Sequence, residues 1–471
     1  MYPKLTPIIS PWIEDILQHP KLLQKLVRQY DSPLNLHNPT VLAENINQFQ
    51  IVLKRHLAKS KVFFARKPNS CISFVQKAIE LNIGIDVASF EELQQSLEYY
   101  CPPKNLVITA AIKDDNLCRL ATKHQILTTV DNFDELQKLS IEANKQGKSL
   151  PIALRVSGFY FQGKKSYSRF GFDLDQLDEV FHKLHQQPYS NLDFKGFHFH
   201  LNGYSLAERA EAICQLFDVI IKIRVLGFHT TFIDIGGGFL VQYLKSAREW
   251  KVFHRELKKA ILSKRTPITY QNQGLCYLRH GQELINLHNL YPYYNQLSKA
   301  DALETILTTK KGTKTIAKLL NEEKLELRIE PGRSALDQCG MTIAKVVHTK
   351  EDSQGNTLVG LKMNFTQLLS SSSEFALDPV VLYASKHLSS QPTGCYFVGA
   401  YCMERDVILK RKIVLTQKPA AGDLVCFINT AAYMMHFLAA KSHQFPSAKN
   451  VVISQLNDGF KFVLDPLETY K

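Results

Sequence analysis

Residues that could do chemistry together occur at four places in the sequence: Lys67, Gly236-Gly237-Gly238, Glu330 and Arg333. Lys67 ends an apolar run, where burial can lower the pKa of its amine and free it to form a Schiff base. The glycine triplet lets backbone N–H groups approach a phosphate closely, and Arg333 can add a bidentate contact. Alone, Lys67 would more often be a solvated lysine and the triplet a simple turn, so the prediction of a site depends on their combination.

These residues come directly after short apolar runs that alternate with helical segments. The runs are Lys61–Arg66, Ile83–Ile85, Leu106–Ile108, Ile126–Val130, Ile152–Val156, Phe194–Phe199, Phe232–Ile235 and Leu325–Ile329. Eight strands alternating with helices predict a (β/α)8 barrel, an α/β fold whose active site is built at the C-terminal ends of the strands. Asp86, Arg155 and His200 lie at or just past the ends of other runs. The chain therefore places these groups at one rim and is interpreted as an enzyme.

The barrel pattern is interrupted once and is followed by a different pattern. The segment over residues 240–324 is too long to be a single crossover helix, and it predicts a mostly helical insertion on the rim. This insertion is either a functional element, such as a lid or a substrate-shaping segment, or a surface elaboration. After Arg333 the short apolar runs predict strands of a C-terminal β domain. They are Met341–His348, Thr357–Met363, Tyr396–Val398, Ile413–Leu415, Leu424–Ile428 and Val451–Ile453. The predicted organisation is an N-terminal segment over 1–36 with a strand that joins the β domain, the barrel over 37–340, and the β domain over 341–471.

Composition excludes several classes of protein. The chain has 471 residues, and no apolar stretch approaches the roughly 20 residues that span a bilayer. The N-terminus lacks a secretory apolar segment, and the nine cysteines form no C-x-x-C pair, so a cytoplasmic protein without a metal site is expected. The net charge of +13 comes from dispersed Lys and Arg, which favours a solvated basic surface over nucleic-acid binding.

The lysine, the phosphate-binding turn and the acid Glu330 together describe a pyridoxal phosphate site, in which the acid keeps the pyridine nitrogen protonated. The sequence also resembles the fold-type III pyridoxal phosphate enzymes, the group of diaminopimelate, ornithine and arginine decarboxylases, which have an alanine racemase-like barrel. The motifs that carry the resemblance are FFARKPN (63–69), DVAS (86–89), SRFG (168–171), GFHFH (196–200), DIGGGF (234–239), EPGR (330–333), GAYCMERD (399–406) and AAY (431–433). Each motif is weak alone, but the ordered set spans most of the chain.

The resemblance implies roles for individual residues at the cofactor. Lys67 would hold pyridoxal phosphate as an aldimine, His200 would stack on its ring and Glu330 would pair with its pyridine nitrogen. Gly236–Gly238 and Arg333 would bind the phosphate. The other residues expected at the cofactor are Asp86, Arg155, Ser205, Gly332 and Tyr433.

The resemblance also implies roles at the substrate and at a subunit interface. Cys402 lies in a motif that reaches the active site across a homodimer interface. Arg333, Glu404 and Asp406 are the residues expected at the substrate. His198 and Cys214 are expected to be packing residues.

The implied reaction is decarboxylation of an amino acid. Loss of carbon dioxide would leave a carbanion delocalised as a quinonoid, with Cys402 returning a proton to Cα and Lys67 as a rival donor. A racemase or epimerase on the same fold is the alternative, although alanine-type racemases place a basic residue where this chain has Glu330. A non-catalytic cofactor-binding protein is a further alternative, which the intact Lys67 and Cys402 oppose.

Departures from the family pattern leave the substrate open. The Gly-Ser expected after the stacking histidine is replaced by Leu201-Asn-Gly-Tyr-Ser205, so any of Asn202, Gly203 and Ser205 could contact phosphate. An Asn-Asp-Gly turn that binds distal ammonium groups is replaced by Asn364-Phe-Thr366, and Glu404 or the insertion is left as a possible substitute. The sequence therefore resembles a divergent subgroup, similar to Y4yA-type and siderophore-pathway decarboxylases, that acts on an amino acid or an amino-acid conjugate.

Overall fold

The computed structural model describes residues 2–186, 188–370, 375–385, 392–456 and 459–470. The helices are α1 (Pro11–Leu17), α2 (Pro20–Tyr30), α3 (Pro39–His56), α4 (Ile72–Glu80), α5 (Phe90–Glu98), α6 (Asp115–His124), α7 (Phe133–Gln146), α8 (Leu177–Leu184), α9 (Leu206–Val225), α10 (Ala247–Ile261), α11 (Lys299–Thr308) and α12 (Ile316–Glu322). Among the described residues, no helix is both long enough and apolar enough to cross a membrane.

The strands form two large sheets and three small hairpins. They are β1 (Leu34–His37), β2 (Ser60–Ala65), β3 (Gly84–Val87), β4 (Leu106–Ile108), β5 (Leu127–Val130), β6 (Leu150–Ser157), β7 (Tyr160–Phe161), β8 (Lys164–Lys165), β9 (Phe172–Asp173), β10 (Leu192–His198), β11 (Phe232–Asp234), β12 (Tyr277–His280), β13 (Glu283–Asn286), β14 (Lys310–Lys311), β15 (Lys314–Thr315), β16 (Glu326–Ile329), β17 (Gly340–Glu351), β18 (Thr357–Leu361), β19 (Val380–Leu382), β20 (Thr393–Val398), β21 (Val407–Leu415), β22 (Leu424–Ile428), β23 (Lys449–Leu456) and β24 (Gly459–Leu464).

Eight parallel strands close into the predicted barrel. Their order around it is β2, β3, β4, β5, β6, β10, β11 and β16, with β16 pairing back to β2. All eight predicted apolar runs are barrel strands, because strands covered by helices on one side and packed inside the barrel on the other are apolar throughout. Polar N-caps start the helices directly after the strands: Ser89 Oγ accepts from Glu92 N at 3.1 Å, and Asn132 Oδ1 accepts from Glu135 N at 2.9 Å. Short connections of this kind keep the strand ends at one open rim.

The second large sheet contains the predicted C-terminal strands together with one strand from the start of the chain. Its main path is β21, β20, β18, β17, β1, β23 and β24, and β22 pairs with both β17 and β19. The strand β1 is antiparallel to β17 and parallel to β23, and all four of its residues are buried. Five of the six predicted C-terminal runs lie within strands, and the run Thr357–Met363 extends two residues past β18; β19 and β24 were not predicted.

The segment predicted as an insertion divides into two parts. Side chains of α11 and α12, such as Leu303, Ile306 and Leu320, belong to the hydrophobic core of the barrel. The predicted upper boundary at residue 324 is therefore wrong, because these helices form the crossover that a barrel needs before its last strand. Residues 240–297 are the true insertion and contain α10 and the β12–β13 hairpin. They pack in a second core with the β domain, where Phe253 and Leu257 join Phe397.

Candidate active site

The C-terminal rim of the barrel surrounds a cavity of about 480 Å³, here called the rim cavity. Nine of the predicted cofactor residues line it: Lys67, Arg155, His200, Gly237, Gly238, Glu330, Gly332, Arg333 and Tyr433. Because these residues come from strand ends far apart in sequence, the barrel is what brings them together.

Lys67 lies just after β2, in a turn that the C-terminal domain helps to hold, since Tyr433 N donates to Pro68 O at 2.9 Å. Its side chain is exposed and opens into the rim cavity, whose walls partly desolvate the amine. This burial lowers the pKa of Lys67, but the charges of Asp86, Tyr433 and Glu330 outweigh it and raise the pKa overall. The expectation that the pKa of Lys67 is lowered overall is therefore wrong, because the charges of the surrounding acidic groups outweigh the effect of burial.

Glu330 is the acid predicted at the pyridine nitrogen, and it belongs to a buried group of three titratable side chains. His198 Nε2 lies 3.4 Å from Glu330 Oε2, and the ligand atoms of Glu330, His198 and Asp234 lie within 4.8 Å of one another. Burial raises the pKa of both carboxyl groups. The charge of Asp86 raises the pKa of Glu330 further, and the charge of Glu330 raises that of Asp234. The two acids therefore hold a proton between them at neutral pH, because two adjacent buried carboxylates repel each other.

His198 completes this group as an uncharged side chain. Burial lowers the pKa of His198 to about 4, so its imidazole is neutral at pH 7. Within the described part of the chain, His198 Nδ1 has no hydrogen-bond partner in the protein. Glu330 Oε1 has none either, apart from the proton that Glu330 shares with Asp234. His198 is buried as expected, but its contact with Glu330 gives it more than a packing role.

The glycine turn after β11 leaves no room for side chains. Gly236 and Gly238 have φ of +64° and +81°, which favour glycine. A Cβ atom at Gly237 would lie 2.6 Å from the carbonyl oxygen of Glu330, and one at Gly238 would lie 2.7 Å from Arg209 Nη2. Asp234 Oδ1 accepts from Gly236 N at 2.9 Å. The side chain of Asp234 thus connects the turn to the buried acid.

Arg333 lies among tyrosines on the opposite wall of the cavity. Its Nη1 donates to the hydroxyl of Tyr243 at 3.4 Å, and its guanidinium carbon lies 4.4 Å from the ring centre of Tyr291 and 4.8 Å from that of Tyr433. Stacking of this kind fixes the orientation of a guanidinium. Tyr243 and Tyr291 come from the insertion, so the insertion helps to build the site.

Arg155 and His200 supply the remaining wall. Arg155 lies 3.8 Å from Asp131 and 4.3 Å from the ring centre of Phe170. Burial and the charge of Lys67 lower the pKa of His200 well below its usual value, so the ring is neutral. A neutral flat ring is suited to stack on an aromatic cofactor.

Three predicted cofactor residues do not line the cavity. Asp86 is buried beneath Lys67 and accepts a hydrogen bond from Thr109 Oγ1. Gly236 lies behind the other two glycines. Ser205 does not line the cavity, and its hydroxyl caps α9 by accepting from Glu208 N at 3.2 Å, so its assignment to the phosphate stays a prediction. Asn202 and Gly203 line the cavity instead.

The loop over residues 399–406 lies outside the rim cavity of its own chain. Cys402 is exposed, whereas the other eight cysteines are buried. Asp406 is buried, and its two carboxylate oxygens accept from Phe365 N at 2.8 Å and Tyr401 N at 2.7 Å. Asp406 therefore holds the loop in shape, and the prediction that it binds substrate is not supported, because backbone donors occupy both of its oxygens.

Other residues of the site were missed from the sequence. Arg209 is buried within α9 and its Nη1 donates to the carbonyl oxygen of Gly237. Tyr204, Tyr243 and Tyr291 surround Arg333. Only Tyr291 gave a signal, as part of the aromatic stretch over residues 291–294 of the insertion.

The residues present fit pyridoxal phosphate. An amine opens into the cavity for the aldehyde, a glycine turn that excludes every Cβ is available for the phosphate, and a buried acid oxygen lacks an N–H or hydroxyl donor among the described residues. A (β/α)8 barrel with this arrangement at its C-terminal rim defines a pyridoxal phosphate enzyme.

Comparison with known proteins agrees with this class. Residues 43–270 match the family described as "Pyridoxal-dependent decarboxylase, pyridoxal binding domain". The uncharacterized protein y4yA of Sinorhizobium fredii is 28% identical over 449 residues, which are 94% of this chain and 92% of the relative. A diaminopimelate decarboxylase of Staphylococcus aureus is 20% identical over 432 residues, 89% of this chain and 88% of the relative.

Solved structures share the fold. A diaminopimelate decarboxylase from M. jannaschii in complex with L-lysine has a TM-score of 0.70 at 17% identity, covering 94% of this chain and 91% of that chain. The lysine decarboxylase of Selenomonas ruminantium has a TM-score of 0.66 at 16% identity, covering 93% and 97%. The chain therefore matches the pyridoxal-binding domain of this family and is similar to diaminopimelate decarboxylases, and its cofactor is pyridoxal phosphate. The resemblance and the cofactor predicted from the motifs are confirmed.

Proposed function

We propose that the protein removes carbon dioxide from Cα of an amino acid, with Lys67, Glu330 and the glycine turn of one chain acting together with Cys402 of a second chain. The observation that carries this proposal is that the amine of Lys67 opens into the same cavity as Glu330, Gly238 and Arg333. When bound there, pyridoxal phosphate supplies an electron-withdrawing ring that weakens the bonds at Cα of an attached amino acid.

The protein groups divide the work of binding and proton control. The glycine turn and Arg333 would hold the phosphate, and the neutral ring of His200 would cover one face of the cofactor. Glu330 would pair with the ring nitrogen. Lys67 is charged in the free protein, because its acidic neighbours raise its pKa, and its amine would hold the cofactor.

An acid at the ring nitrogen favours decarboxylation over the racemase or epimerase alternative. A carboxylate at Glu330 favours a proton on the ring nitrogen by its negative charge, and its contact with His198 helps to fix its position, so this acid supports strong electron withdrawal by the ring. Product analysis separates the two reactions: a decarboxylase releases carbon dioxide, whereas a racemase retains the carboxylate and scrambles the chirality at Cα.

The first experiment tests Lys67. We expect the Lys67→Ala protein to lose the visible absorbance of lysine-bound pyridoxal phosphate and to release no carbon dioxide from an amino-acid panel. Lys54→Ala, which changes an exposed lysine on α3, is the control and should keep both properties. An unchanged spectrum for Lys67→Ala would remove this lysine from the proposal.

The second experiment tests the shared site. Cys402 and Glu404 do not line the rim cavity of their own chain, so we propose a homodimer in which they reach the partner's cavity and Cys402 returns a proton to Cα. Mixing inactive Lys67→Ala and Cys402→Ala proteins should restore up to about a quarter of wild-type activity, because half of randomly mixed dimers are mixed and each carries one intact site. No recovery after verified subunit exchange would show that each site is built within one chain.

A further inference from the structure

A second cavity, here called the insertion cavity, adjoins the rim cavity. Its volume is about 600 Å³, and it lies between the insertion and the loop over residues 202–204. The insertion contributes the rings of Trp250, His254, His288 and Tyr291, and Cys276 and Asn286 line the same space. None of these residues belongs to the motifs that define the family.

The two cavities are separated by a thin wall. Asn202, Gly203 and Tyr204 line both of them. The Tyr204 ring lies 5.5 Å from that of Tyr291, which in turn stacks on Arg333 in the rim cavity. A substrate held at Lys67 whose side chain extends past Tyr204 therefore enters the insertion cavity.

The chemistry of the insertion cavity differs from that of the rim cavity. No Asp or Glu occurs among its described lining residues. Burial, reinforced by Lys258, lowers the pKa of His254 to about 4, and burial raises the pKa of Cys276 to about 11, so both are uncharged at pH 7. His254 Nδ1 is also hydrogen-bonded to the hydroxyl of Tyr277 at 2.9 Å. A distal ammonium group would find no carboxylate here and would lose hydration without compensation.

Aromatic rings and amide groups are what this cavity can bind. Trp250 packs edge-on against His254, with ring centres 4.3 Å apart, so both ring systems are held in place. Asn286 can donate and accept hydrogen bonds. An uncharged aryl or acyl-amide group would bury its faces against these rings and use the polar edge of the cavity.

We propose that the insertion cavity binds the remote end of the substrate, and that this end is an uncharged aryl or amide group. The substrate is then an α-amino acid with a long, neutral side chain, such as a diamino acid whose distal amine is acylated, and not a free diamino acid. This inference rests on the proposed decarboxylation at Lys67 and specifies which amino acids undergo it.

The experiment uses the holoenzyme with two probes, Nε-benzoyl-L-lysine and L-lysine, which share the reacting centre and differ at the distal amine. The chain has two tryptophans, so a Trp12→Phe background leaves Trp250 as the fluorescent reporter. We expect Nε-benzoyl-L-lysine to change the Trp250 emission and to be decarboxylated with a kcat/KM at least about tenfold above that of L-lysine, as burial of one aromatic group implies.

Two variants locate the effect. Trp250→Ala should lower kcat/KM for Nε-benzoyl-L-lysine by about tenfold or more while the absorbance of bound cofactor is unchanged. Leu278→Ala, on the exposed side of the hairpin in the same insertion, is the matched control and should leave kcat/KM for both probes unchanged. His254→Ala provides a second lining variant if Trp250→Ala fails to fold.

The outcomes separate this inference from the proposed function. Carbon dioxide released from L-lysine or diaminopimelate in preference to Nε-benzoyl-L-lysine, without a Trp250 response, would overturn the inference and leave the decarboxylase proposal standing. A Trp250 response to Nε-benzoyl-L-lysine without carbon dioxide from any amino acid would support the binding site and overturn the proposed reaction. Equal kcat/KM of both probes in wild type and Trp250→Ala would also overturn the inference.

Discussion

Replacement of Gly237 by alanine tests whether the glycine turn is rigidly packed against Glu330, the acid proposed to face the ring nitrogen. The backbone of Gly237 has no positive φ, so the whole effect comes from the added methyl group. Its Cβ would lie 2.6 Å from the carbonyl oxygen of Glu330, whereas ordinary contact begins at 3.4 Å. The turn and the end of β16 must therefore separate by about 0.8 Å.

Overpacking of a rigid site by one methyl group costs about 1–3 kcal/mol. If the cost falls on the loaded conformation, the Kd for pyridoxal phosphate rises roughly 5- to 150-fold. If the free protein carries the strain as well, the free energy of unfolding falls by a similar amount. Both quantities are measurable: the Kd by titration of apoprotein with pyridoxal phosphate, and the unfolding free energy by urea denaturation of the same apoprotein.

Gly394→Ala is the matched control for this experiment. Gly394 also lacks a positive φ, and the nearest atom to an added Cβ is Cδ of Lys412 at 3.3 Å, at the flexible part of a side chain. We expect the Gly394→Ala protein to have the same Kd for pyridoxal phosphate and the same free energy of unfolding as wild type. The reasoning would be refuted if Gly237→Ala also showed a Kd within twofold of wild type and an unchanged urea midpoint, since the turn could then yield at no cost.

Three further predictions concern buried polar groups, and urea denaturation of the apoprotein measures each. Asp234→Asn should gain stability relative to wild type as the pH rises from 5 to 8, by up to about 1.4 kcal/mol per unit, because folded wild type keeps a carboxyl proton in this range that the unfolded chain has already released. A pH-independent difference would contradict the shared proton. Asp406→Ala should lower the free energy of unfolding by about 2–4 kcal/mol, because two backbone N–H donors lose their acceptor. It should also speed alkylation of Cys402, which lies in the same loop. Asp406→Asn should lose less of the unfolding free energy. Burial lowers the pKa of His436 to about 4, and its neutral ring is hydrogen-bonded to Asn450 at 2.8 Å. The free energy of unfolding of wild type should therefore fall by about 2 kcal/mol as the pH is lowered from 6.5 to 4. In His436→Gln the same free energy should depend less steeply on pH.

The barrel and the core of the site could be predicted because both follow from local patterns. Apolar runs separated by helical segments mark parallel strands, and the residue after each run must lie at the rim. Lys67, Glu330 and Arg333 were placed correctly in this way, since nothing more than strand order was needed. The strand β1 was also expected in the C-terminal sheet from its position before the first barrel helix.

The remaining features depend on contacts between distant parts of the chain. The sequence shows that Ser205 is polar and near the stacking histidine, but only the structure shows that its hydroxyl caps α9. The pKa of Lys67 is set by Asp86 and Glu330, which are distant in sequence. The contact of Arg333 with Tyr243 joins residues 90 positions apart, across an insertion whose packing no local period reveals.

The position of β1 has a consequence for how the protein can be made and divided. Leu34 pairs with Ile343 on one side and with Lys449 on the other, so a strand from the first tenth of the chain lies in the middle of a sheet otherwise formed by the last third. A ribosome must release nearly the whole polypeptide before this sheet can close. A fragment from either end alone lacks part of this sheet, whereas a circularly permuted chain that begins within 240–297 would carry all the strands of the sheet in one continuous stretch.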